Sequence, residues 1–173
     1  MVDTDIIARE VVQSGSPALE EIRHQFGQDV IRGDGSLDRA ALRKIVFADP
    51  ARRSQLEAIL HPRIRDEAYR QAEAAPGDYV IMVVPLLYES PIRDVMDRIL
   101  VVDCDEQMQL ERLLARDDES EAQARRIMAT QASRAERLSI ADDVIANDGD
   151  IEQSRRATLR LHDKYLDLAR QKA

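Results

Sequence analysis

Two carboxylates, Asp3 and Asp5, stand two residues apart at the head of a helical pattern, in Val2-Asp3-Thr4-Asp5-Ile6-Ile7-Ala8-Arg9. If Val2 and Asp3 end a strand, Asp5 lies just past its carboxyl end, where open α/β sheets carry their chemistry. A carboxylate held there by backbone pairing can act as an aimed base. The same residues also suit a helix N-terminal cap, since Asp accepts amide hydrogens and complements the helix dipole. Local sequence leaves both readings open.

Gln109, Arg112 and Arg116 fall at i, i+3 and i+7, so the two arginines share a helix face about one turn apart. Two guanidiniums placed so could clamp a polyphosphate. Taken alone, the pattern better fits a solvated face paired with Glu111 and Asp117–Asp118. His61, before Pro62, suits a local cap or packing group better than a base. Pro85-Leu86-Leu87-Tyr88-Glu89 follows an apolar run. There Pro ends the ladder and turns the chain out of the sheet edge, placing Tyr88 and Glu89 near any ligand. No G-x-x-x-x-G-K-[ST] occurs, and none of Lys44, Lys164 and Lys172 follows a Gly-rich turn, so no phosphate cradle of that type can be built from these residues.

The elements that must position these groups can be traced by periodicity and punctuation. Residues 5–13 read as a helix closed by Ser14-Gly15-Ser16-Pro17. A second spans 17–26, with Ser16 as cap and Gly27 as stop. After the Gly33-Asp34-Gly35-Ser36 turn, Ser36 or Asp38 opens a third. It carries Leu37, Ala41, Leu42, Ile45 and Val46 on one side and Arg39 and Arg43 on another. A helix from about 51 has Leu56, Ile59 and Leu60 as its stripe. His61-Pro62 interrupts it, and Ile64, Ala68 and Tyr69 continue the stripe. The apolar runs 79–84 and 99–103 fit strands buried on both faces, as in a parallel sheet. Helices follow at 106–116 and 120–138, a short strand at 143–145, and a last helix at 150–169. Its expected core face is Ile151, Thr158, Leu161, Tyr165 and Leu168.

Alternating strands and helices predict an α/β fold with a parallel sheet. Residues 1–5, 76–105 and 140–173 would form one sheet core. A helical insert at 6–75 and another at 106–139 would hang from it. The chain's 173 residues can bury a real core. A net charge of −8 and a pI near 5.0 argue against a general binder of nucleic-acid backbones. Aromatic content of 3% without Trp leaves little for stacking bases. The predominance of Arg over Lys fits either bidentate phosphate contacts or genome composition. Cys104, the only cysteine, excludes a disulfide framework and reads as a buried small hydrophobe. No signal peptide and no bilayer-length apolar run are visible, which points to a cytoplasmic protein without a membrane partner.

Taken in order, the motifs resemble those of the dephospho-coenzyme A kinase family. Asp3-x-Asp5-x-Ile7-Ala8-Arg9 is similar to the segment after that family's second strand. Gly33-Asp34-Gly35-Ser36-Leu37-Asp38-Arg39, Leu42 and Val46-Phe47 resemble its DG-x-L-DR-x-x-L…F stretch. His61-Pro62-x-Ile64 and Val84-Pro85-Leu86-Leu87-Tyr88-Glu89 look like its HP-x-I and VPLL-x-E. Gln109-x-x-Arg112-x-x-x-Arg116 is similar to its lid helix. Gln131 and Ala141-Asp142-Asp143-Val144-Ile145-x-Asn147 resemble its closing segment. The resemblance covers essentially the whole chain. It implies a P-loop kinase-like parallel sheet flanked by helices. The implied reaction transfers the γ-phosphate of ATP, with Mg²⁺, to the 3′-hydroxyl of dephospho-CoA.

By resemblance, Asp5 is the base and Arg112 stabilises the moving phosphoryl group, supported by Arg116. Asn147 lies near the ATP base. Arg39 and His61, with Tyr88 and Glu89, serve the coenzyme side. The insert at 6–75 binds dephospho-CoA, and 106–139 is the lid. The family's first strand, P-loop and helix have no counterpart here. The resemblance therefore implies a sheet missing its first, central strand and no identifiable metal ligand, because the P-loop Ser/Thr that holds Mg²⁺ is absent. A chain started at an internal methionine, marginal in stability and weakly active or inactive alone, is the expectation. A non-catalytic CoA-binding or regulatory homologue is one alternative. Another nucleoside-monophosphate-type kinase is a second, against which the ordered insert at 33–64 speaks.

Overall fold

The structure, a computed structural model, describes residues 1–116 and 120–172. The chain divides into two compact units, Met1–Pro85 and Leu86–Ala173.

In the first unit, β1 (Val2–Asp3) pairs in parallel with β2 (Met82–Val83), Val2 opposite Met82 and Asp3 opposite Val83. The Val2 amide donates to the Ile81 carbonyl at 2.9 Å. Four helices fill the connection: α1 (Thr4–Glu10), α2 (Pro17–Phe26), α3 (Arg39–Ala48) and α4 (Pro50–Ala74). Their ends follow local chemistry. The Ser16 hydroxyl accepts from the Leu19 amide, and Pro17 presets the first turn of α2. Gly27, at φ +93°, ψ 173°, ends it in a conformation open only to glycine. Asp38 and Asp49 cap α3 and α4.

Val12, Ala18, Leu19, Ile22, Val30, Leu37, Leu42 and Ile59 form this unit's core. Each large side chain so buried contributes roughly 1.5–3 kcal/mol.

Two expectations fail in this unit. His61-Pro62 does not interrupt the fourth helix, which runs unbroken for 25 residues with Pro62 inside. A proline there removes one amide donor and crowds the preceding turn. Beside it the Arg63 guanidinium donates to the Ile59 carbonyl at 2.6 Å and to Glu21 of α2 at 2.7 Å, tying this turn to the neighbouring helix. Burial of Ile59 and Ala68 on either side holds the helix together. Nor is the run 79–84 a strand buried on both faces: only Met82 and Val83 pair, and Ile81 stays exposed. A strand bonded along one edge leaves its other edge and flanks open to solvent.

In the second unit, β3 (Leu100–Asp103) pairs in parallel with β4 (Asp143–Ala146). The helices are α5 (Glu106–Arg116), α6 (Glu121–Ala129), α7 (Arg134–Ser139) and α8 (Ile151–Lys172). Among the described residues the named strands pair as β1–β2 and β3–β4. β3 is not buried on both faces, since Val102 is 60% exposed. The helix expected over 120–138 is two helices. Ser133 restarts the chain with a capping box: its hydroxyl accepts from the Glu136 amide, and Glu136 accepts from the Ser133 amide. α8 buries none of its residues fully. Ile151, expected in the core, is 82% exposed and Thr158 is exposed too, while Leu161, Tyr165 and Leu168 are half-buried. Cys104 is half-buried rather than buried. No helix among the described residues is long and apolar enough to cross a membrane.

Few apolar side chains are fully buried in this unit (Ile92, Leu110, Ala124 and Ile145), so buried polar contacts carry more of its cohesion. Asp143 at the start of β4 is the hub. Its carboxylate accepts from Lys164 Nζ at 2.5 Å, Arg98 Nε at 2.9 Å and Tyr165 Oη at 3.1 Å. Burial pushes this carboxyl up, and the three donors outweigh it, leaving it below the usual carboxylate range. Tyr165 is pushed up to about 12, by burial first and then by Asp143. Asp143→Asn is therefore expected to destabilise the chain by roughly 2–4 kcal/mol, read as a lower denaturant midpoint. An unchanged midpoint would remove Asp143 from its place as the tie between β4 and α8.

Candidate active site

In the first unit, the two aspartates take different roles. Asp3 closes β1 and caps α1: its Oδ1 accepts from the Asp5 amide at 2.8 Å and the Ile6 amide at 3.3 Å. Buried Thr4 locks the junction, donating from Oγ1 to the Val83 carbonyl of β2 at 3.1 Å. The Asp5 carboxylate is exposed in the first turn of α1 and has no hydrogen-bond or ion-pair partner among the described residues. The cap thus belongs to Asp3, and Asp5 is left uncommitted just past a strand end. Arg39 opens α3, exposed and without an ion pair among the described residues. His61 is exposed on α4.

In the second unit, Arg112 is exposed on α5 and likewise has no carboxylate partner among the described residues. Glu111, its expected partner, accepts instead from Gln107 at 3.1 Å. Pairing with Asp117 or Asp118 lies outside the described residues. Arg116 ends the same helix one turn on. Asn147 follows β4 directly. Its amide donates to the Asp103 carbonyl at 2.7 Å, and its side-chain oxygen accepts from Ser154 Oγ at 3.3 Å. This ties the residue to both β3 and α8. Tyr88 and Glu89 sit on a short 3₁₀ turn, Leu87–Glu89, after β2. The Arg93 guanidinium stacks 5.7 Å from the Tyr88 ring centre and donates to the Tyr88 carbonyl. Glu89 accepts from the Ala132 amide at 3.0 Å.

That last contact belongs to a grip not foreseen from sequence. Asp103, at the carboxyl end of β3 and 7% exposed, receives a two-pronged bond from Arg134, Nε at 2.9 Å and Nη2 at 2.6 Å. Arg137 donates to the Ala132 carbonyl at 2.5 Å. Glu89 and Asp103 thereby fix residues 132–134, where the helical segment 106–139 returns to the sheet. The sequence did carry one signal, the Ser133-x-x-Glu136 box that marks a helix start. The Asp103–Arg134 pairing spans 31 residues and left none.

Arg134 holds the Asp103 carboxyl below the usual carboxylate range despite its burial. A carboxyl depressed in the folded state stabilises fully above its unfolded value, about 4, and less as pH falls through its folded value. Asp103→Asn should accordingly lower the melting temperature at neutral pH and flatten its fall on acidification toward pH 3. An acid limb as steep as in the unchanged chain would count against this pair. Asp143 contributes to the same limb and is untouched by the substitution.

No group of three or more His, Cys, Asp or Glu side chains that could hold a metal occurs among the described residues. The described residues thus form no Mg²⁺ cage. Each unit thus leaves one exposed charged side chain of this set without a partner among the described residues: the Asp5 carboxylate past a strand end in the first, and the Arg112 guanidinium on a helix in the second.

Comparison with known proteins bears on that chemistry. The family model for dephospho-CoA kinase matches residues 1–153. The dephospho-CoA kinase of Aeromonas hydrophila is 48% identical over 100% of this chain and 85% of its own length. That of Aromatoleum aromaticum is 49% identical over 98% and 83%. Among solved structures, TT1252 from Thermus thermophilus superposes with a TM-score of 0.78 at 28% identity, covering 94% of this chain and 83% of its own. The fold is also that of the Campylobacter jejuni dephospho-CoA kinase, with a TM-score of 0.70 at 22% identity over 99% and 86%. Ordered motifs, a parallel α/β fold and relatives aligned over essentially all of its length place this chain in the dephospho-CoA kinase family.

Proposed function

We propose that Asp5 is the base of this kinase and Arg112 the cation on the transferring phosphoryl group. The family's reaction moves the γ-phosphate of ATP to the 3′-hydroxyl of dephospho-CoA. The observation that carries the assignment is the division between neighbours: Asp3 is consumed by the α1 cap, and Asp5 is exposed and unpaired. Asp5 accepts the hydroxyl proton as the oxygen attacks the γ-phosphorus and the bond to ADP breaks. Arg112, uncommitted in the same way, meets the charge on the equatorial oxygens, with Arg116 behind it. Asn147, anchored to β3 and α8, serves the ATP base. The helices of residues 6–75, with Arg39 and His61, hold dephospho-CoA, and Tyr88 and Glu89 bound the same substrate. Residues 106–139 act as the lid, which excludes water from a hydrolysable nucleotide.

Mg²⁺ brought with ATP would neutralise charge on its phosphates. The 173 residues contain no G-x-x-x-x-G-K-[ST], so the donor phosphates lack that backbone cradle within this chain. Its turnover is expected to fall well below the range of roughly 1–100 s⁻¹ usual for kinases. Single-turnover assays with excess protein and γ-labelled ATP suit that regime. The label should appear on the 3′-hydroxyl of dephospho-CoA, and Arg112→Ala should slow its appearance about 10³-fold or more, with dephospho-CoA affinity within about threefold. Transfer unaffected by Arg112→Ala, or label on another acceptor in preference, would refute the assignment.

A further inference from the structure

The helices between β3 and β4 divide by what they pack on. α5 and α6 pack on each other, and each buries one residue, Leu110 and Ala124. α7 packs on β3 instead and buries none of its own residues. Polar contacts hold it at both ends. Its first residue, Arg134, is bonded to Asp103, and just past its last turn the Asp142 amide donates to the Ile99 carbonyl at 2.9 Å.

The departing and returning stretches meet at one residue. The chain leaves β3 at Asp103, and α5 begins at Glu106. The buried Asp103 carboxylate takes both prongs of Arg134 from the returning stretch. The charges of Asp105, on the departing stretch, and of Asp148 act on the same guanidinium. The backbone is fixed on both sides of this bond. On the way out, the Asp105 amide donates to Asp148 Oδ1 at 3.1 Å, and Asp105 Oδ1 accepts from the Gln107 amide at 2.9 Å. On the way back, the Ala132 amide donates to Glu89 at 3.0 Å and the Ala132 carbonyl accepts from Arg137. α5 and α6 therefore stand on a closed base.

We propose that Arg134 is a positioning residue for the transfer: bonded to Asp103, it closes the base on which α5 and α6 move and sets where Arg112 arrives, while α7 stays with the sheet. Arg112 lies six residues beyond Glu106 on α5, about 9 Å of axial rise. A tilt of about 6° at the base thus displaces it by about 1 Å, and a misplacement of that size can slow a reaction about 10²-fold. Two parallel bonds on one carboxylate resist such a tilt, where a single bond would swivel. The inference rests on the reading of Arg112 as the phosphoryl cation and of residues 106–139 as the lid, within which it gives the motion to α5 and α6 alone.

Arg134→Lys keeps the charge and gives up the fork, so it is the variant of choice. Residual dipolar couplings read the base without turnover. In the unchanged chain α7 should share the alignment of β3 and β4, with the couplings of α5 and α6 scaled down together by motion; Arg134→Lys should scale down α7 as well. Couplings of α7 averaged like those of α5 and α6 in the unchanged chain would overturn the closed base. Single-turnover transfer then reads the effect on Arg112. Arg134→Lys should slow transfer about tenfold or more on its own, yet change it less than about twofold when added to Arg112→Ala, because it acts through that residue. Asp103→Asn should follow the same pattern. The control Arg125→Ala, exposed on α6 and paired with Glu121, should transfer within about twofold of the unchanged chain. Equal slowing by Arg134→Lys with and without Arg112 would mark a merely structural loss and overturn the positioning role. So would an unchanged rate for Arg134→Lys beside a slow Arg112→Ala, and the reading of Arg112 would stand. Transfer unaffected by Arg112→Ala would overturn both.

Discussion

The parallel register of β1 on β2 is the constraint from which the candidate site follows. Val2 donates into β2, and Thr4 Oγ1 donates to the Val83 carbonyl, so the chain leaves the strand at a fixed point. Asp3 then turns its carboxylate onto the first amides of α1. A helix must satisfy those donors, and a neighbouring Asp is a ready acceptor. With that requirement met by Asp3, Asp5 adds only its charge to the first turn of α1 and makes no hydrogen bond or ion pair among the described residues.

The second unit uses the opposite economy. Its apolar core is small, and buried carboxylates at the strand ends organise it: Asp143 gathers Arg98, Lys164 and Tyr165, and Asp103 grips Arg134. Taking such charges out of water is unfavourable unless the donors are well aimed, and here the donors stand 2.5–3.1 Å from the carboxylate oxygens. Both links join distant parts of the chain: Asp143 holds α8 to the sheet, and Asp103, aided by Glu89, holds the return of the helical segment. The cations thus committed, Arg98, Arg134 and Lys164, contrast with Arg112, which is not.

How much of this the amino-acid order disclosed depended on whether the physics was local. α2 was legible to its last residue because Ser16-Pro17 and Gly27 are start and stop signals within one turn. α5 was legible in its bounds, 106–116, which are those observed. The strands were overestimated because an apolar run reports hydrophobicity, whereas a strand needs a partner. Met82–Val83 is all of that run that finds one. α4 runs on through Pro62 with Ile59 and Ala68 buried on either side and Arg63 bonded to Glu21, a partner 42 residues away that the local order does not reveal. The split at residues 130–133 was written in Ser133-x-x-Glu136 and overlooked. For the site, Asp5 and Arg112 were legible as chemistry-bearing types, while which of Asp3 and Asp5 caps α1 required coordinates. Glu89 was expected beside a ligand; that one of its carboxylate oxygens receives the Ala132 amide, 43 residues on, left no mark in the amino-acid order.

The division between Asp3 and Asp5 can be measured directly by comparing Asp3→Asn and Asp5→Asn in melting temperature and in single-turnover transfer from γ-labelled ATP to dephospho-CoA. Asp5→Asn should keep its melting temperature and lose about 100-fold or more of the transfer rate, the size expected for removing a general base. Asp3→Asn keeps a capping side chain and should change both modestly, whereas Asp3→Ala should cost about 1 kcal/mol of stability and leave transfer within about tenfold. Transfer by Asp5→Asn at the unchanged rate would contradict the account, as would parallel losses of stability and transfer at both positions.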